Sequence, residues 1–143
     1  MSNEQMNPGF TILGIEHVAI ALKDSKRISD FLSILPGLTY HGEEMIRDQQ
    51  VDTVIFSTPN GKIELLAPSS EESPISSFLE KRGEGIHHIA VEVDHIENAI
   101  RYLISSGIQM IDEAPRTGAE GYQIAFVHPK STPGLLIEFC QKP

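Results

Sequence analysis

Two histidines and two glutamates stand at matching places in this sequence and could together bind a metal ion. His17 follows Gly-Ile-Glu and His88 follows Gly-Ile-His, while Glu64 and Glu138 occupy the similar triplets Ile-Glu-Leu and Ile-Glu-Phe. Imidazole nitrogens and carboxylate oxygens form a mixed ligand set that suits Mn, Co, Ni, Zn or Fe(II). Four protein ligands in an octahedral site leave two positions, which two oxygens of one substrate could fill. The pattern predicts one divalent metal site.

The elements that must position these residues repeat as well. Each half of the chain has the pattern of a strand with the histidine, an amphipathic helix, and further strands ending in the one with the glutamate. Apolar residues recur at i, i+3, i+4 and i+7 in both helices: Ile28, Phe31, Leu32 and Leu35, then Ile96, Ala99, Ile100 and Leu103. One such unit leaves an apolar face that a second copy can cover. The predicted fold is α+β, with two tandem βαβββ modules forming a curled mixed sheet around a central metal-binding cleft.

Strand alternation predicts which side chains face the cleft. His17 and His88 fall on the face opposite to the apolar residues that pack under the helices, and so do Glu64 and Glu138 in the later strands. His87 falls on the other face from His88, so a structural or solvent contact is expected for it. A single histidine or glutamate of this kind is more often structural or solvated, and the repeat is what favours a metal site.

The expected organisation is one domain preceded by a tail. Residues 1–11 are polar and are expected to form a flexible N-terminal tail. Residues 12–143 are expected to form a single domain, with a first module at about 12–67, a linker at about 68–84 and a second module at about 85–141. The linker is rich in Ser, Glu and Pro at its start and then has a short helical run around Ile75 to Lys81.

Composition narrows the function classes. The formal net charge of -9 and the pI near 5.0 oppose a broad nucleic-acid surface, which would need clustered Lys and Arg. No secretory signal or run of 18 apolar residues is found, so no membrane partner is expected. Cys140 is the single cysteine, which is typical of a cytoplasmic protein. Motifs for a phosphate loop or a serine nucleophile elbow are absent.

Longer stretches resemble the vicinal oxygen chelate superfamily and, within it, the methylmalonyl-CoA epimerase family, over nearly all of the chain from Ile12 to Gln141. In one-letter code they are KIELLAP from Lys62, SPI from Ser73, FLEKRGEGIHHIA from Phe78, DEAPR from Asp112, GAEG from Gly118 and HPKS from His128. The superfamily builds its metal site from the first and last strands of each module. The resemblance therefore implies the same ligand set that the repeat indicates.

The resemblance also implies an activity. Family members convert (2R)- and (2S)-methylmalonyl-CoA by removing the α-proton, passing through a metal-stabilised enolate, and returning a proton on the opposite face. Glu138 is the implied acid/base as well as a ligand, and Lys130 with Ser131 is implied to bind the substrate's acyl end. The cofactor would be one divalent metal ion (Co, Mn, Ni, Zn or Mg), the substrate an acyl-CoA, and the assembly a homodimer.

Several alternatives stay open. Thr53 stands where some family members have a second glutamate, and Asp52, Glu43 and Glu44 are the substitutes within the nearby chain. A lactoylglutathione lyase would share the fold, the metal and the proton transfer. A non-catalytic small-molecule binding protein is the third possibility. A dioxygenase of the same superfamily is disfavoured, because it would need only two histidines and one carboxylate, and Glu64 adds a fourth ligand.

Overall fold

Residues 7–143 are described by a computed structural model, and they form two compact units. The first, called here the histidine unit, comprises residues 15–90; the second, the C-terminal unit, comprises residues 7–14 and 91–143. The strands are β1 (Ile12–Ala21), β2 (Thr39–Ile46), β3 (Val51–Thr58), β4 (Gly61–Pro68), β5 (Gly85–Val93), β6 (Arg116–Thr117), β7 (Gln123–Phe126) and β8 (Ile137–Gln141), and the α-helices are α1 (Lys26–Ser33), α2 (Pro74–Arg82) and α3 (Ile96–Ser105).

In the histidine unit the strands lie in the order β2-β3-β4-β1-β5. β1 and β4 run parallel, whereas β2 with β3 and β3 with β4 are antiparallel, so this sheet is mixed. Phe56 and Leu65 are fully buried in a core cluster with Leu32 of α1. This cluster marks the helix face of the sheet, and alternation sends the neighbouring residues of each strand to the other face.

The segment expected to be a linker carries a helix that packs on that other face. Ser73 caps α2 by accepting a hydrogen bond from the amide of Ile75 (3.2 Å), and Pro74 follows at the first helical position, where its lack of an N–H is tolerated. Ile75 and Leu79 then pack against β1, β3 and β4 side chains in one buried cluster. The histidine unit therefore continues past residue 67 and includes α2 and the start of β5.

In the C-terminal unit the end of β5 lies beside β8, followed by β7 and β6, and α3 packs on β7 and β8 to form the core. The described part of the expected N-terminal tail makes specific contacts here. Phe10 packs edge-on against Tyr102 at 5.8 Å between ring centroids, and the Asn98 side-chain amide donates to the carbonyl of Gly9 (2.7 Å). Residues 1–6 of that tail lie outside the described residues.

The predicted α+β class is confirmed, and so are the three helices that the sequence indicates, since the helical run around Ile75 to Lys81 is α2. The apolar stripe of α3 is buried at Ile96, Ala99 and Ile100. Helix α1 ends at Ser33, before Leu35, because a residue that precedes a proline disfavours helical backbone and Pro36 follows. None of the helices within residues 7–143 is both long and apolar enough to cross a membrane.

Candidate metal centre

Two buried histidines of the histidine unit bring their outer ring nitrogens together. His17 on β1 and His88 on β5 are 6% and 5% exposed, and their Nε2 atoms lie 3.1 Å apart. Metal–nitrogen bonds of about 2.0–2.1 Å place two adjacent ligands of an octahedral ion about 3.0 Å from one another. The spacing of the two nitrogens therefore fits two adjacent positions around a single cation.

Two buried carboxylates face the inner nitrogen of His17. Glu16 Oε1 lies 2.6 Å from His17 Nδ1, and Glu64 Oε2 lies 3.3 Å from the same atom. Lys62 Nζ contacts the other oxygen of Glu16 at 2.8 Å. Burial raises the pKa of Glu16, but the hydrogen bonds and charges of His17 and Lys62 outweigh it and lower the pKa to about 2. Glu16 is therefore an anion at neutral pH.

His87 contacts the inner nitrogen of the other histidine. Its Nδ1 lies 2.8 Å from Nδ1 of His88, and its ring packs edge-on against Phe78 of α2 at 4.9 Å between centroids. Burial, followed by the charge of His88, lowers the pKa of His87 to about 4, so the ring is neutral at pH 7. The two rings touch although alternation directs the Cα–Cβ bonds of neighbouring residues to opposite faces, because Nδ1 lies two bonds beyond Cβ.

The two predicted carboxylate ligands have different surroundings. Glu64 is 5% exposed in β4, where its Cα pairs with Ala19 and Ile55, and its carboxylate lies on the Nδ1 side of His17. Glu138 is 4% exposed in β8 of the C-terminal unit, opposite Phe126 of β7. Within the histidine unit the structure thus brings His17, His88 and Glu64 together. Glu138 is buried in the second unit, in the strand expected from the repeat.

The residues expected to bind substrate lie in the loop after β7. The amide of Ser131 donates to the carbonyl of His128 (2.9 Å), and its hydroxyl accepts from the amide of Gln109 (2.9 Å). The amide of Lys130 donates to His128 Nδ1 (3.0 Å), while its side chain is exposed. Ser131 is therefore engaged with the backbone of its own unit, and Lys130 keeps its ammonium group on the surface.

Sequence reasoning missed Glu16, Lys62 and the contact of His87. Glu16 and His87 are the residues directly before the two histidines, so they occupy equivalent places in the repeat. That equivalence was the signal in the sequence that could have indicated contacts with the two histidines. It was obscured because one position is a carboxylate and the other an imidazole.

Comparison with known proteins places the chain in a class. The family described as the Glyoxalase/Bleomycin resistance protein/Dioxygenase superfamily matches residues 16–126. The chain belongs to this superfamily, whose members include those of the vicinal oxygen chelate type named above.

Individual relatives narrow the class further. The chain is 38% identical over 129 residues to the mitochondrial methylmalonyl-CoA epimerase of Dictyostelium discoideum, covering 90% of this chain and 78% of that protein. It is 35% identical over 127 residues to the uncharacterized protein YqjC of Bacillus subtilis strain 168, covering 89% and 91%. A structure of a Streptomyces coelicolor methylmalonyl-CoA epimerase variant in complex with 2-nitronate-propionyl-CoA matches at a TM-score of 0.85 and 28% identity, covering 92% of this chain and 96% of that one.

Proposed function

We propose that this chain epimerises (2R)- and (2S)-methylmalonyl-CoA, removing the proton between the thioester and the carboxylate and returning one on the opposite face. The observation that carries the proposal is the pair of buried His17 and His88 Nε2 atoms 3.1 Å apart, in a chain with epimerase relatives over most of its length. A relative with a bound CoA ester supports an acyl-CoA substrate.

Four buried residues are proposed to hold one divalent ion: His17, Glu64, His88 and Glu138. The nitrogen spacing supports the two histidines. Glu64 and Glu138 are supported by their burial in repeat-equivalent strands, and Glu64 also lies beside the His17 ring, on its Nδ1 side. The ion, which we expect to be Co, Mn, Ni, Zn or Mg, would stabilise negative charge on the substrate's oxygens. Two carboxylates and two neutral imidazoles together carry a negative charge, which favours the binding of a cation.

Glu138 is proposed as one of the two acid/base groups. Inversion needs one proton-transfer group on each face of the acidic carbon, and a positioned carboxylate is a suitable donor and acceptor. Glu138 is almost fully shielded from solvent, with 4% of its surface exposed. Its strand partner Phe126 is also buried.

Glu44 is proposed as the second acid/base group. Glu44 pairs directly with Thr53 across β2 and β3, so the two side chains leave the same face of the sheet. Thr53 in turn shares its face with Glu64, two positions further along the β3–β4 register. Glu43 pairs with Val54, whose side chain lies in the cluster under α1, and Asp52 alternates with Thr53. Of the three substitutes left open by the sequence, only Glu44 is on the face of Glu64.

Lys130 is proposed to bind the carboxylate of the substrate by a charge-assisted hydrogen bond. The hydrogen bonds of Ser131 and the Lys130 amide hold this loop against Gln109 and His128. The loop would thus be ordered before substrate arrives, with Ser131 shaping it. We also propose that the protein works in the cytoplasm as a homodimer, which sedimentation of the purified chain will test.

Proton exchange at the α-carbon tests the proposal directly. Methylmalonyl-CoA incubated with the protein in deuterated water is expected to gain deuterium at that carbon and to racemise, and a chelator is expected to stop both. Retained activity at undetectable metal content would contradict the metal dependence. Turnover of a glutathione hemithioacetal without exchange in methylmalonyl-CoA would favour a lactoylglutathione lyase, and binding without turnover of either would favour a binding protein.

A further inference from the structure

Each histidine of the Nε2 pair is contacted at its other ring nitrogen by the residue directly before it. Glu16 Oε1 lies 2.6 Å from His17 Nδ1, and His87 Nδ1 lies 2.8 Å from His88 Nδ1. The two contacts occupy equivalent positions in the repeat, and all four residues belong to the histidine unit. The partners differ in kind, since one is a carboxylate and the other an imidazole, whose Nδ1 can accept a hydrogen bond only when the ring is neutral.

These contacts, taken together with the proposed metal bonds, determine the positions of the ring protons. A carboxylate accepts hydrogen bonds only, so His17 must carry its proton on Nδ1 and donate it to Glu16. A histidine that binds a cation through Nε2 also carries its proton on Nδ1. His88 then donates from Nδ1 to Nδ1 of His87, and His87 keeps its own proton on Nε2. In the metal-bound protein both Nε2 lone pairs would consequently be available to the ion.

We infer that Glu16 and His87 are positioning residues that fix the metal-binding tautomers of His17 and His88, and that Glu16 makes His17 the stronger of the two ligands. The inference rests on the proposed metal site. A hydrogen bond to an anion draws the Nδ1 proton away and increases the electron density on Nε2, whereas a neutral acceptor does so less. His17 and His88 would thus occupy similar positions but form metal bonds of unequal strength.

Each positioning residue has its own support. Lys62 contacts the second oxygen of Glu16 at 2.8 Å, which holds the carboxylate in place and balances its charge next to the nearby Glu64. His87 packs against Phe78, and the Arg82 guanidinium lies 6.0 Å from the centroid of the Phe78 ring. Helix α2 therefore holds one ring in place, while an ion pair with β4 holds the carboxylate.

Zinc affinity, measured without substrate by competition with a chromophoric chelator, tests the role of Glu16. We expect Glu16→Leu, which cannot accept a hydrogen bond, to lower the affinity about 10- to 100-fold. Glu16→Gln keeps an oxygen acceptor without the charge and should recover part of that loss. Glu43→Gln is the matched control, because Glu43 is exposed on the α1 side of the sheet, and it should bind zinc as the unchanged protein does.

Cobalt gives a second signal that mere loss of fold would not produce. The visible spectrum of the Co(II) protein is expected to shift in Glu16→Leu and to move back towards that of the unchanged protein in Glu16→Gln. His87→Phe, which preserves a ring against Phe78, should lower zinc affinity by a smaller factor than Glu16→Leu. Equal affinities and spectra in all variants would overturn the inference, and a larger loss in His87→Phe would overturn the stated order.

Nuclear magnetic resonance of the imidazole nitrogens reports the tautomers themselves. In the zinc-loaded protein both His17 and His88 should be protonated at Nδ1, and His87 at Nε2; any other assignment contradicts the inference. The outcome is separable from the proposed activity. A protein that binds zinc with these tautomers but does not exchange the α-proton of methylmalonyl-CoA would refute the epimerase proposal alone, whereas an active enzyme with unaffected variants would refute this inference alone.

Discussion

Glu44 of β2 lies directly across from Thr53 of β3, and the two residues share a face of the sheet with Glu64 of β4. Thr53 is 2% exposed and cannot act as an acid or base at ordinary pH, while Glu44 is half-buried. The carboxylate-bearing Glu44 of β2 therefore lies next to the shorter side chain of Thr53 on β3.

Replacement of Glu44 by Gln is expected to lower kcat for epimerisation about 100- to 10,000-fold, because the carboxylate proposed to move one of the two protons is lost. Metal affinity should not change, since Glu44 is not a proposed ligand. The measurement is steady-state epimerisation together with metal content. The matched control is Glu43→Gln, next along the strand but on the opposite face, which should keep the kcat of the unchanged protein.

A second change separates a chemical role of Glu44 from a structural one. Thr53→Glu in the Glu44→Gln background returns a carboxylate to the adjacent strand on the same face, and we expect part of the lost kcat to return. Thermal unfolding of each variant checks that the buried Thr53 position accepts the larger side chain. Full activity of Glu44→Gln would refute the assignment, whatever the double variant does.

Glu138→Gln is expected to divide metal binding from catalysis. The amide oxygen can still act as a ligand, but the group can no longer hold and release a proton. We therefore expect a modest loss of metal affinity and a loss of kcat of at least about 100-fold. Glu138→Ala should lose both properties. If Glu138→Gln keeps its kcat at saturating metal, Glu138 is a ligand without an acid/base role.

Much of the fold and part of the site follow from periodicity and repetition. The match between the stretches around His17 and His88 predicts equivalent positions for the two histidines, and both are buried in strands of the same unit. The contacts of Glu16 and His87 could not be predicted in this way. They depend on side-chain torsions beyond Cβ and on partners distant in sequence, Lys62 for one and Phe78 for the other.

The electrostatics of Glu16 predict a change of stability in acid. The pKa of Glu16 is lowered from 4.5 to about 2 in the folded protein, so its contribution is fully present above about pH 4.5 and is lost as the pH falls towards 2. That difference corresponds to about 3 kcal/mol. In metal-free protein, urea unfolding between pH 6 and 3 should show a shallower loss of stability for Glu16→Gln than for the unchanged chain. Parallel pH profiles of the two proteins would contradict this prediction.

The lowered pKa of His87 predicts a loss of stability at a higher pH than the loss that is due to Glu16. Burial lowers its pKa from 6.5 to about 4, so between these values the unfolded chain binds a proton that the folded chain does not, and the free energy of unfolding falls as the pH falls from 6.5 to 4. The loss reaches about 3 kcal/mol at most.

His87→Phe removes the titrating group and keeps a ring against Phe78, so the metal-free variant should lose less stability across this interval. An unaltered profile in His87→Phe would mean that folding does not lower the pKa of His87.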